Sequence, residues 1–199
     1  MRNKWKSKAR QIDDATKHAM IEHFADNVLN PENWFAAANS LELTLKHLSQ
    51  EVAEWSELTR NNPSGFDGPK AGVARVFLML AGVAIENLCK GLLVSRLTLE
   101  ERDLVRLAGK LPSKLQKHLS ISLFDAIEFP LTPGQECLVE ILGKAVVWRG
   151  RYSAPTDWSG LTPSFDSTSN PQNASRLLRD VRMFVRRAMK QNQLGLAQP

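Results

Sequence analysis

Residues 75–96 read RVFLMLAGVAIENLCKGLLVSR, the longest apolar run in the chain. Val73, Phe77, Leu80, Ala84, Leu88 and Leu92 recur at helical spacing, and Val76, Met79, Val83, Cys89 and Leu93 add a second apolar face. A helix with apolar residues on most sides must be covered on most sides, so the pattern predicts the central helix of a bundle. A membrane span needs about 20 apolar positions, and only residues 76–85 are free of charged or amide side chains. Glu86, Asn87 and Lys90 are therefore polar groups set into a mostly buried helix. Such groups cost roughly 1–3 kcal/mol each without partners, so the trio is either a structural clamp or part of a site.

The flanking segments repeat the helical pattern. Residues 5–28 place Trp5, Ile12, Ala15, Ala19 and Phe24 at loose helical spacing among many charges. Asn30, Pro31 and Glu32 then form a helix start: a capping amide, proline at the first turn, and an acid at the positive end of the dipole. Trp34, Ala38, Leu41, Leu45, Leu48, Val52 and Trp55 alternate spacings of four and three, the seam of a helix packed lengthwise on another, within a bundle or between two copies. Asn61 to Gly65 ends that helix. Thr98 to Glu101 is a capping-box pattern that predicts a short helix stopping at Gly109.

Leu115, Leu119, Leu123 and Ile127 predict one amphipathic helix from Pro112 to before Pro130, with His118 beside its apolar stripe. Thr132-Pro133 caps the next, whose face is Cys137, Leu138, Ile141, Leu142, Ala145 and Trp148, breaking at 148–152. From there to Asn173 the chain is rich in Ser, Thr, Pro, Gly and Asp, with scattered Trp158, Leu161 and Phe165, which predicts a long ordered loop against the bundle. A last helix runs from Pro171 or Ser175 to Lys190, with Leu178, Val181, Val185 and Met189 inward and arginines outward. The expected fold is all-α, a single up-and-down helical bundle over 1–199, with its core at 31–190, a basic N-terminal helix at 1–28 and a long capping loop before the C-terminal helix.

Charge adds one feature to this picture. The net charge is +5, and the excess sits at the two ends, in residues 2–10 and in Arg176, Arg179, Arg182, Arg186, Arg187 and Lys190. Such ends suit RNA or DNA, or else are solvated helix faces. The two cysteines each lie in an apolar helical pattern, where an unreactive core thiol sits, and no disulfide scaffold is implied. The N-terminal charges are followed at once by Gln11, Asp13 and Asp14, unlike a secretory signal, so the expected setting is cytoplasmic and off the membrane.

Candidate chemistry is sparse. His18 and His23 are five apart and neither cysteine has ligand-like spacing, so no metal and no cofactor is expected. No nucleophile elbow is present. The strongest constellation combines Glu86, Asn87 and Lys90 with Trp148, Arg149, Arg151 and Tyr152. Glu86 and Lys90 are four apart in the orientation that pairs well on a helix. The two arginines, flanked by two aromatics, suit a phosphate and a stacked base. Alternatively, Arg149 or Arg151 reaches Glu86 and staples helix to loop.

Three blocks in order, AIENLCKGLLV, KHLSISLF and LTPGQECLVEILGKAVVWRGRYSAP, resemble the HEPN superfamily of small helical-bundle proteins over residues 73–155. The resemblance implies a homodimeric helical bundle in a superfamily associated with RNA cleavage, toxin–antitoxin pairs, phage defence and nucleotide binding. It thereby implies RNA or a nucleotide as ligand and a cognate toxin or antitoxin as protein partner. Ribonuclease members share an arginine followed roughly four to six residues later by histidine, the evident proton-transfer group of a metal-free ribonuclease. No pair here fits: Arg10 and His18 are too far apart, and Arg149 and Arg151 are followed by Tyr152 and Pro155. A ribonuclease of this type would draw on Arg149 and Arg151 to hold phosphate and on His118 or Glu86 to move protons, with Lys90, Asn87, Trp148 and Tyr152 binding substrate. A non-catalytic module whose helical seams recruit a protein partner is the alternative.

Overall fold

Asn30 caps the second helix as its sequence dictates, its Oδ1 accepting the Glu32 N–H at 3.0 Å. The computed structural model describes residues 13–61, 68–149 and 171–195. Within them the chain forms α1 (Asp14–Val28), α2 (Pro31–Asn61), α3 (Gly68–Ser95), α4 (Leu99–Ala108), α5 (Ser113–Gln116), α6 (Ile121–Ile127), α7 (Pro133–Lys144), a π-helical turn (Ala145–Arg149) and α8 (Pro171–Gly195). No strand occurs among the described residues, and the architecture is an all-α helical bundle.

The apolar run is the central element. Ala81, Ala84, Ile85, Cys89, Leu92 and Val94 of α3 are fully enclosed. They are covered by α2 along one side, α8 along another, and α6, α7 and the π-helical turn elsewhere. Gly72–Ser95 is long and apolar enough to cross a membrane, but 72% of its apolar window is buried by the rest of the bundle. The α2 seam faces α3 with Ala38, Leu45 and Val52 buried and Trp34, Leu41 and Leu48 partly so.

The caps form where the sequence places them. Thr98 and Glu101 make a reciprocal capping box, as do Thr132 and Gln135, and α4 ends at Gly109 in the left-handed conformation, φ 61°. Such reciprocal caps satisfy donors that a helix start otherwise leaves open.

Three expectations are corrected. The helix expected across 113–127 is two short helices, separated where Lys117 and Ser120 adopt extended backbone. The reason is tertiary: the break turns the Leu119 N–H away from an intrahelical acceptor and toward Glu86. The α7 helix continues as a π turn to Arg149, within the span where the sequence places its end. Cys137 is exposed rather than buried. Arg182 is drawn inward, its side chain only 16% exposed, because Glu42 and Asn39 of α2 receive it.

The α4 helix buries Val105 and also turns a charged residue, Arg102, toward the bundle. Its Arg102 donates to the carbonyls of Val94, Leu29 and Leu97, at 2.8, 3.2 and 3.3 Å. Leu99, Leu104 and Leu107 are correspondingly left 80, 64 and 80% exposed. Val94 is in the last turn of α3, Leu29 follows α1 and Leu97 lies between α3 and α4; the Val94 carbonyl also accepts the Leu97 N–H at 3.2 Å, and the guanidinium fork gives all three carbonyls a charged donor. Most of the basic N-terminal segment, with the long loop before α8, lies outside the described residues.

Candidate functional site

Glu86 and Lys90 are the only buried charged residues described, each 7% exposed. Their spacing of one helical turn lets them pair, and Lys90 Nζ donates to Glu86 Oε1 at 2.6 Å. A pair taken out of water keeps its charges only if the remaining lone pairs and N–H groups are also used. The carboxylate meets that demand through its other oxygen, which accepts the Leu119 N–H at 2.9 Å. The ammonium meets it against an aromatic face, Nζ standing 5.7 Å from the Trp34 ring centroid. Trp34 is in turn fixed by its indole N–H, which donates to the Val28 carbonyl at 2.9 Å.

His118 completes the cluster from the segment between α5 and α6. Its Nδ1 lies 3.7 Å from Glu86 Oε2, within charge-pairing distance but beyond a direct hydrogen bond, and its side chain is 59% exposed. An imidazole whose Nδ1 carries its hydrogen toward a carboxylate presents an unprotonated Nε2 on the far side of the ring. That geometry suits proton transfer to or from a solvent-side substrate. Below Glu86, the Cys89 thiol is pushed far above its ordinary range by burial and then by the Glu86 charge. It is a core thiol and takes no part in chemistry.

The segment carrying His118 is held from both sides. Opposite the Leu119 N–H, the Leu119 carbonyl approaches α7 so closely that a Cβ at Gly143 would stand 2.5 Å from its oxygen. Beside it an open cleft of about 730 Å³ runs between residues 119–122 and α7, with Glu140 and Lys144 on its wall.

Of the residues singled out in the sequence, Glu86, Lys90 and His118 come together. Asn87 is half-buried next to them. The backbones of Trp148 and Arg149 belong to the π-helical turn; their side chains, with Arg151 and Tyr152 entire, lie outside the described residues. Sequence reasoning missed Trp34 and the Leu119 N–H, because both read as members of apolar stripes. The two-apart spacing of Glu86 and Leu88 puts them on opposite faces of α3. The face opposite Glu86 meets α8, whose Arg176, Arg179, Arg186, Arg187 and Lys190 are exposed. Among the described residues, no three His, Cys, Asp or Glu side chains gather as a metal would require.

Comparison of the chain with protein-family models, with curated proteins and with solved structures returned no match.

Proposed function

We propose that this protein is an HEPN-like helical bundle that binds RNA through the cationic face of α8 and, at a separate site on the other side of α3, cleaves it without a metal by proton transfer at His118, with Glu86 as its positioning partner. The observation that carries the binding is the run of exposed cations on α8. Five of them share one helix with a single carboxylate, Asp180, which lies 4.0 Å from Arg179, and a surplus of cations of that density attracts a phosphate backbone. The proposed chemistry rests on His118 Nδ1 standing 3.7 Å from a carboxylate whose position is fixed by two further partners. In this reading Lys144 and the cleft beside residue 119 receive the scissile phosphate. The setting that the sequence resemblance implies is a homodimer acting in phage defence or in a toxin–antitoxin pair.

The test of the chemistry is cleavage of a mixed single-stranded RNA by the wild type, by His118→Asn and by Lys144→Gln, with folding followed by circular dichroism. Cleavage by the wild type that falls at least about 100-fold in folded His118→Asn supports the assignment. Equal cleavage by the two proteins, or none by either, removes it.

A second reading has its own observation. The three exposed leucines of α4 offer an apolar face larger than scattered surface residues account for. On that reading the Glu86 cluster is purely a clamp and the protein is a non-catalytic interaction module. Leu99→Ser with Leu107→Ser then breaks an assembly seen by analytical ultracentrifugation and leaves RNA binding unchanged.

A further inference from the structure

On the side of α3 away from His118, α2 and α8 leave a groove of about 520 Å³. One edge is cationic: Arg182, Arg186 and Lys190 succeed one another at four-residue steps along α8. The floor is apolar, with Phe35 and Met189 at its surface and Leu88 and Val185 beneath. Phe35 is seated there by the absence of a side chain at Gly91, since a Cβ at that position would collide with its ring. The floor is thus formed before any ligand arrives.

The three cations are not equivalent. Arg182 is already matched, its guanidinium lying against the Glu42 carboxylate and donating to Asn39 Oδ1 at 2.5 Å. Arg186 and Lys190 have no hydrogen bond or ion pair with any described residue, and they stand next to Met189 at the apolar end. Glu32 is the one carboxylate lining the groove. A cavity of this size, apolar at its base and charged at one rim, is complementary to a ligand that is apolar at one end and anionic at the other. A bare phosphate gains nothing from the floor, and a neutral hydrocarbon gains nothing from the rim.

We infer that the α2–α8 groove binds a small amphipathic anion, its phosphate or carboxylate held by Arg186 and Lys190 and its apolar body seated against Phe35 and Met189. The groove is separate from the Glu86 cluster, and it shares Arg186 and Lys190 with the α8 face proposed for RNA, so the two ligands compete there. Glu32 opposes the anionic head and sets its position toward the C-terminal end of α8.

The experiment is calorimetric titration of the full chain with octyl phosphate below its micelle concentration, beside inorganic phosphate, octanol and adenosine monophosphate. Octyl phosphate binding more tightly than inorganic phosphate and than octanol is the expected result, with affinity falling about tenfold or more in Arg186→Gln/Lys190→Gln and rising in Glu32→Gln. All the substituted side chains are exposed, and circular dichroism confirms the fold of each variant. Adenosine monophosphate binding with the same dependence on Arg186 and Lys190 identifies the apolar body as a nucleoside and supports the same site. The inference is overturned if inorganic phosphate binds as tightly as octyl phosphate, if the double variant binds unchanged, or if neither organic phosphate binds at concentrations of about 1 mM.

Discussion

Glu86 and Leu119 are joined by a hydrogen bond that crosses 33 residues of chain, the Leu119 N–H donating to Oε2 at 2.9 Å. The bond makes the carboxylate answerable to two partners at once, one on its own helix and one on the segment that carries His118. Removing Lys90 leaves a buried carboxylate without its counter-charge, which costs about 3–5 kcal/mol. Lys90→Met is therefore expected to be strongly destabilising in urea unfolding. Glu86→Gln combined with Lys90→Met is expected to cost less than Lys90→Met alone, because the amide oxygen still accepts the Leu119 N–H and no charge is stranded. A double variant as unstable as the sum of its parts contradicts the clamp.

Gly143 tests the other side of the same segment. Alanine ordinarily favours a helix over glycine by about 1 kcal/mol. Here its Cβ meets the Leu119 carbonyl oxygen at 2.5 Å, and that backbone is held in place by Glu86. Gly143→Ala is expected to lower stability by about 1–3 kcal/mol in urea unfolding. A more stable variant means that the segment is free to give way.

The two cysteines should part company toward thiol reagents. Cys89 is fully enclosed and its thiol is held protonated by burial and by the neighbouring Glu86, whereas Cys137 is exposed. Titration with an aromatic disulfide reagent should modify one thiol in the native protein and the second only on unfolding, and Cys137→Ser should abolish the native reaction. Rapid modification of both native thiols contradicts the burial of Cys89.

Acid should erase one specific contribution. The Glu101 carboxyl is held below its ordinary range, first by the Lys114 ammonium and then by the Thr98 backbone N–H. A carboxyl lowered in the folded state stabilises the protein above its ordinary value, and the contribution disappears as pH falls through the folded value. The difference in Tm between wild type and Lys114→Gln should be present near about pH 7 and shrink progressively as the pH falls below the ordinary glutamate value of about 4.3. A gap that is constant with pH assigns the effect to something other than this pair.

Much of the fold is legible in the sequence because local signals and burial agree there. The α3 run, the Asn30 and Thr132 starts and the Thr98–Glu101 box are each a local pattern, and each forms. The break at 117–120 carries no glycine or proline; it exists because a buried carboxylate on a distant helix takes the Leu119 N–H. The outward leucines of α4 are hidden for the same reason, since Arg102 is directed inward by carbonyls at the ends of two other helices. In the candidate site, the one-turn spacing of Glu86 and Lys90 is readable, while the arrival of His118 and Trp34 depends on packing that no local pattern encodes.

The central proposal, RNA binding by α8, is tested most directly by the salt dependence of affinity for a single-stranded RNA, comparing the wild type with Arg179→Gln/Arg187→Gln. Both arginines are exposed, so the fold should tolerate their replacement. The account predicts an affinity that falls steeply with salt, and a log–log slope shallower by about 1.4 in the double variant, or about 0.7 for each phosphate that an arginine no longer neutralises. An identical slope and affinity in the two proteins, or no binding at low salt, contradicts it.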